Sequence, residues 1–497
     1  MASTSFDILE TTIADVHAAY KSGLLTARRL VEMYLERIDA FDKKGPALNA
    51  IITLNSKALD EADRLDAAFK SSGFIGPLHG IPIIIKDQAD AKGMPTTLGS
   101  LLFKDYYPER DATVVEKLKK AGAIVLAKAT LGELGGGDTH GSLFGSTKNP
   151  YALDRTAGGS SGGSAVSVAA NYSTVAVGQE GFASIRRPSI WNCIVGMRPT
   201  AGLVSRGGVF AGWPDVAGSL GPMARTVRDL AVLLDAMVGY DPEDPLTSRG
   251  VGHAPETYTQ FLDKYALKGS RIGILRESMG YDSEPESEDF TKIAEVFDKA
   301  VGELKAAGAE IFDPVAIPKL KELLAKRAGS YAQAEESFRA YFGRSSRSPF
   351  KSRQEAAQSP DFPKVTRRSQ DRWKRSEDPK KHYEYLLARE ELTINFLKVM
   401  ADHKLDAIVH KAVEHQPTLI KDGVNPPFVD QKGAPHLNTF MVFVPSIVVP
   451  AGFTRDNLPA GITFLGRPYD DGNMIKLAYA YEQATHHRRP PASTTPL

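Results

Sequence analysis

Hydrophobic positions follow two periods along the chain. Near the N-terminus, Ile13, Val16, His17 and Tyr20 recur at helical spacing. Ser22-Gly23 stops that run, and Thr26 offers its side-chain oxygen as the N-cap of a second stripe, Leu30, Val31, Tyr34, Leu35 and Ile38. The period changes at GIPIIIKD (80–87), a short, continuous run of β-branched residues. Such a run predicts a strand buried on both faces, here one that ends in Lys86. Thr113 to Ala121 then predicts a helix, Gly122 its left-handed cap and Ala123 to Ala127 a strand. The same sequence of helix, glycine and strand recurs at Phe290 to Ala307, Gly308 and Ala309 to Phe312. Further strands are predicted at Ser173 to Val177, Arg271 to Leu275, Asp406 to His410, Ser446 to Val449 and Ile462 to Leu465. This alternation indicates an α/β layer fold. Because the strands are spread over nearly the whole chain, residues 1–497 are expected to form one large domain.

One stretch breaks the pattern. Arg344 to Lys381 contains RSSRSPFKSRQ and KVTRRSQDRWKRSEDPKK, basic and serine-rich with interrupting prolines. It reads first as a solvated excursion with short helices, and second as a lid over a pocket or a docking patch.

Composition narrows the function classes. A chain of 497 residues, 42% hydrophobic and 24% charged, can bury a large core and is neither disordered nor fibrous. Its 61 Lys and Arg against 60 Asp and Glu give a net charge of +1, without the broad positive field that holds nucleic acid or anionic membrane. No nucleic-acid partner is therefore expected. The longest apolar stretch, Phe440 to Phe453, is broken by Pro445 and Pro450 and falls short of the roughly 20 residues of a spanning helix. The N-terminus, MASTSFDILE, lacks the basic and apolar regions of a secretory signal. The single cysteine, Cys193, cannot form an internal disulfide and fits a reducing cytoplasmic location. A homodimer is compatible with all of this.

The chemistry concentrates in TAGGSSGGSAVSVAA, Thr156 to Ala170, a glycine-serine loop running into a small-residue helix. Glycines permit close backbone approach, and hydroxyls with amides can bind phosphate or polarise a reacting group. No lysine follows as in a Walker loop, and the spacing departs from G-x-G-x-x-G. Two further features bear on the loop serines Ser160 and Ser161: the strand-end Lys86, and Ser184 in GQEGFASIRRPS.

With these residues the sequence closely resembles the amidase signature family, serine hydrolases with a Ser-Ser-Lys triad. AGGSSGGSA (157–165) matches the family's signature loop, and the 24 positions from Ser160 to Ser184 match its spacing. Agreement continues through 196–209, 219–244, 444–453 and 458–468, and lapses over about 314–404, where a divergent, locally basic helical insertion is expected. The resemblance implies a central mixed sheet covered by helices in an α/β/α arrangement. It makes Ser184 the nucleophile, Ser160 a bridging serine on a cis peptide, Lys86 the base and Ser161 a support for the loop. Main-chain N–H groups of Gly181, Phe182, Ala183 and Ser184 would form the oxyanion hole. The physical logic agrees, since a serine hydroxyl needs a base within reach and a lysine at a desolvated strand end can lose its proton.

The family commonly has two glycines where this chain has Phe182 and Ala183, and aspartate where it has Glu180. The Phe182 ring is read either as a pocket wall or as core packing. None of the eleven histidines sits in a G-x-S-x-G elbow or an H-E-x-x-H motif, and His79 and His410 are read as structural. The leading expectation is a hydrolase of a small linear carboxamide that needs no metal or organic cofactor. Two alternatives are the glutaminase subunit of a tRNA-dependent amidotransferase and a scaffold that has kept the fold without turnover.

Overall fold

The computed structural model describes residues 6–210, 218–328, 334–375 and 378–497. Eleven strands join in one sheet. In chain order they are β1 (Ile51–Leu54), β2 (Pro82–Lys86), β3 (Ile124–Ala129), β4 (Val175–Glu180), β5 (Val195–Arg198), β6 (Ser219–Ala224), β7 (Arg271–Leu275), β8 (Glu310–Val315), β9 (Ala407–Lys411), β10 (Ser446–Phe453) and β11 (Pro459–Leu465). Their order across the sheet is β1-β3-β2-β4-β6-β5-β10-β11-β9-β7-β8. β2 runs parallel to β3 and β4, and β7 parallel to β8 and β9. All other neighbours are antiparallel, so the sheet is mixed.

Every residue of β2 through β6 is buried, which requires cover on both faces of the sheet. Ile83, Ile84 and Ile85 are fully buried, each worth about 2 kcal/mol of transfer free energy. This apolar anchoring holds the end of β2 in place and takes Lys86 out of water with it.

Local signals set the helix ends, as predicted at Gly23, Thr26 and Gly122. Thr12 and Asp15 form a capping box before the helix Ile13–Ser22, and Gly23 ends that helix at φ 72°. Thr26 accepts from Arg29 N at 3.1 Å to start the helix Ala27–Phe41. Gly122 takes φ 93° after the helix Thr113–Lys120, and an added Cβ there would meet His79 Cα at 2.6 Å, so both conformation and space call for glycine.

Several boundaries differ from expectation. The strand expected at Ser173 begins at Val175 and runs on to Glu180, so the sheet delivers the chain directly to the Ser184 turn. β5 and β6 are absent from the hydrophobic pattern. β5 has four residues, and β6 contains Gly221 and Pro222, types depleted from strands. Gly221 is needed there because an added Cβ would lie 1.9 Å from Met197 O on β5.

Residues 314–404 are largely helical, with helices at Leu320–Leu324, Ala334–Phe342, Arg353–Ala357, Arg367–Lys374 and Pro379–Asp402. The Arg344 to Lys381 stretch is not simply solvated. Phe350, Phe362 and Trp373 pack with Phe103, Tyr106, Phe338 and Phe342 in a separate aromatic cluster. These aromatic residues, interleaved with the basic ones, give the segment an apolar side, and burying that side holds it against the body of the protein. Among the described residues, no helix is long and apolar enough to cross a membrane.

Candidate active site

Three elements converge at the sheet end. β2 supplies Lys86, the glycine-serine loop supplies Ser160 and Ser161, and the turn after β4 supplies Ser184. Lys86 Nζ lies 2.7 Å from Ser160 Oγ and 3.2 Å from Gln179 O. Ser160 Oγ lies 2.9 Å from Ser184 Oγ and 3.1 Å from Gly135 O. Its single proton can serve only one of its acceptors at a time. Lys86 and Ser160 are buried, whereas Ser184 is half-buried and faces a cavity. Burial holds the Lys86 amine well below its ordinary 10.5, against the opposing pull of the Glu180 charge.

Each member is held by its neighbours. The peptide between Gly159 and Ser160 is cis. The Thr139 hydroxyl donates to Gly158 O at 2.7 Å and accepts from Gly162 N at 2.9 Å, clasping both flanks of the serine pair. Arg187 donates to Gly159 O at 2.8 Å. Ser161 joins the loop to the strand, its N–H donating to Ser184 O at 3.1 Å and its Oγ to Gln179 O at 3.2 Å. At Gly163 an added Cβ would sit 2.4 Å from Thr130 Oγ1 and 2.5 Å from Thr130 O, so the loop docks against backbone that only glycine admits.

Glu180 is buried, and its carboxylate accepts from Ile185 N at 2.9 Å, Arg186 N at 2.9 Å and Arg186 Nε at 2.8 Å. Burial would raise this carboxyl, but the charges of Arg186 and Arg198 outweigh that and keep it below 4.5. The segment it anchors, residues 181–184, needs no glycine conformation: neither Phe182 nor Ala183 has a positive φ. Among the described residues, the N–H groups of 181–184 find no backbone acceptor.

The cavity beside Ser184 measures about 310 Å³. Phe182 is part of its wall, with the guanidinium carbon of Arg327 lying over the ring 4.0 Å from its centre, so the core-packing reading of this ring does not hold. The basic segment forms another wall. Arg372 donates to Leu134 O at 2.8 Å, Thr366 N donates to the Glu133 carboxylate at 2.9 Å, and Arg368 pairs with Asp430. Sequence reasoning missed Gly135, Arg187 and Arg327. The glycine run 135–137 and the SIRRPS arginines were signals of close approach and anchoring, while Arg327 lies where no motif was recognisable.

The histidines stand apart from this site. Burial pushes the His410 imidazole down to about 3, its Nδ1 is 2.7 Å from Lys411 O, and neither it nor His79 lines the cavity. Among the described residues, no three His, Cys, Asp or Glu side chains converge to hold a metal ion.

Comparison with known proteins supports the same picture. The sequence profile of the amidase family matches residues 29–475. A probable amidase of Arabidopsis thaliana is 33% identical, covering 98% of this chain and 93% of its own length. A glutamyl-tRNA(Gln) amidotransferase subunit of Gloeothece citriformis is 32% identical over 96% of this chain and 99% of its own. The crystal structure of native peptide amidase from Stenotrophomonas maltophilia superposes with a TM-score of 0.86 at 33% identity, covering 98% of this chain and 99% of that one. With a profile match over most of its length and relatives at this level of identity, the chain belongs to the amidase signature family and is a hydrolase that acts on amides.

Proposed function

We propose that the protein cleaves a small linear carboxamide through an acyl-enzyme on Ser184. The observation that carries this reading is the continuous chain from Lys86 Nζ through Ser160 Oγ to Ser184 Oγ, at 2.7 and 2.9 Å, opening on a cavity. The neutral Lys86 amine accepts the Ser160 proton as Ser160 accepts that of Ser184, and Ser184 Oγ bonds to the amide carbon. The oxyanion is met by main-chain N–H groups of residues 181–184, a role supported by their lack of a backbone acceptor among the described residues. The proton now on Lys86 returns through Ser160 to the leaving nitrogen, and the C–N bond breaks. Water then attacks the ester, gives its proton to the same relay, and releases the acid with Ser184 restored. Residues 1–497 act here as one catalytic unit, supported by a single sheet whose strands run from residue 51 to residue 465.

The test is covalent labelling by an uncharged fluorophosphonate. Wild type is expected to label at Ser184, and Ser184→Ala to fold and not label. Labelling of that variant at the wild-type rate refutes the assignment. A glutaminase role in a complex predicts instead ammonia release from glutamine that a partner stimulates.

A further inference from the structure

Resting on the hydrolase reading, we infer that Gln179 is a substrate-binding residue, and that the amide cleaved here carries a second, uncharged carboxamide that pairs with the Gln179 side chain. Gln179 is the next-to-last residue of β4 and lines the cavity together with Ser184. Its main chain belongs to the scaffold of the relay. Its O accepts from Lys86 Nζ and from Ser161 Oγ, both at 3.2 Å, and its N–H donates to Ser161 Oγ at 3.3 Å. Ser161 N–H in turn donates to Ser184 O at 3.1 Å. The base from which the side chain projects is therefore fixed relative to the reacting serine.

The side chain itself is differently placed from the buried polar groups around it. Thr139, Ser161 and Glu180 are committed to partners within the protein. Gln179 is only 7% exposed, yet its carboxamide makes no hydrogen bond to any described residue. Neither of its polar atoms is sealed off, so the little exposure it keeps opens into the cavity that it lines. A substrate that fills the cavity displaces water from these atoms and must meet them itself, because a buried donor or acceptor left unmet keeps the cost of its desolvation. The chemistry of the side chain then sets what can meet it. A carboxamide holds an acceptor oxygen beside a donor NH₂ and has no charge, whichever way it turns about its last bond. An alkyl group leaves both unmet, and a carboxylate meets the donor while setting its charge against the oxygen. A second carboxamide offers C=O and N–H side by side and satisfies both. Gln431, half-buried in the same wall, is another side-chain amide that makes no hydrogen bond to a described residue, so the uncharged polar character of the cavity does not depend on Gln179 alone.

The experiment compares kcat/KM across amides of increasing chain length that end in one of four groups of nearly equal shape: carboxamide, methyl ketone, carboxylate or isopropyl. One arm places the end group on the acyl chain of a primary amide and reads ammonia release, counted per amide group for the diamides. The other places it on the amine of an N-acetyl compound and reads amine release, which distinguishes recognition of the leaving group from recognition of the acyl group. In one arm the best carboxamide is expected to exceed its isopropyl partner by about 10- to 100-fold, the effect of leaving a buried hydrogen-bonding group unmet, with the methyl ketone between them and the carboxylate below the carboxamide. Because no net charge is recognised, the ratio of carboxamide to isopropyl should not change with salt. Gln179→Leu is expected to abolish that ratio. Gln179→Glu, which keeps acceptors and loses the donor, is expected to abolish the advantage of the ketone over isopropyl. Isopropyl or carboxylate members equal to or better than the carboxamides in both arms overturn the inference, and this comparison uses wild type alone. So does a carboxamide preference that Gln179→Leu leaves at its wild-type size. Fluorophosphonate labelling of wild type separates the two levels: a labelled enzyme with no carboxamide preference refutes this inference alone, whereas an enzyme that neither labels nor turns over any member refutes the hydrolase reading with it.

Discussion

Replacing Lys86 by methionine tests the resting charge of the base through stability as well as rate. The side chain is 1% exposed, and burial holds its amine well below 10.5. Between that lowered folded value and the ordinary value, the unfolded chain binds a proton that the native protein does not. Native stability therefore falls as pH falls through this window, by about 1.4 kcal/mol per pH unit, and the contribution is complete only above 10.5. Methionine has no such dependence. It does lose the contacts to Ser160 Oγ and Gln179 O, an offset of about 1 kcal/mol that does not vary with pH. With the amine neutral at pH 7, wild type should gain on the variant by about 2.7 kcal/mol between pH 7 and pH 9. Urea unfolding of both proteins at pH 7, 8 and 9 measures this difference. Turnover of the variant should meanwhile fall by about 10²- to 10⁴-fold, the usual contribution of a general base, and the acidic limb of the wild-type pH profile should vanish. Parallel stability curves over that range would mean that Lys86 is charged in the native protein, and the proposed relay would lack its acceptor.

Other expectations follow from particular contacts. Phe182→Gly opens the cavity wall and should shift the kcat/KM ratio of two amides differing in acyl size toward the larger, by no more than about 10- to 200-fold; an unchanged ratio moves specificity to other residues. Gly163→Ala forces a methyl group against Thr130 and should cost about 1–3 kcal/mol with a displaced serine loop; a urea midpoint and labelling rate equal to wild type would contradict that docking. Arg187→Gln removes a buried cation between Asp138, Asp430 and the Gly159 carbonyl, and should lower stability by about 3–5 kcal/mol in urea unfolding; Arg187→Lys should recover little, because one ammonium cannot reproduce the planar fork.

How much of this was legible in the chain depends on how local each cause is. The cap at Thr26, the glycine stops at Gly23, Gly122 and Gly308, and the buried run Ile83 to Ile85 are set by neighbouring residues, and the corresponding elements stand where the pattern places them. Lys86, Ser160, Ser161 and Ser184 were legible as a set only through the resemblance to the amidase signature family, whose loop and spacing they match. β5 and β6 were not, since Gly221 and Pro222 suit that strand only once β4 and β5 flank it. The Phe182 ring could not be assigned from sequence either, because the cavity it lines and the Arg327 guanidinium over it come from residues distant in the chain. Likewise the basic composition of Arg344 to Lys381 suggested a solvated face, but Phe362 and Trp373 bury against Phe338 and carry Arg353 and Arg372 to the cavity. By itself the sequence determined most of the elements, whose causes are local, and marked the serines and the lysine by their likeness to a family motif. Only tertiary packing decided what surrounds the set, because the charge and shape of a cavity belong to residues that folding alone makes neighbours.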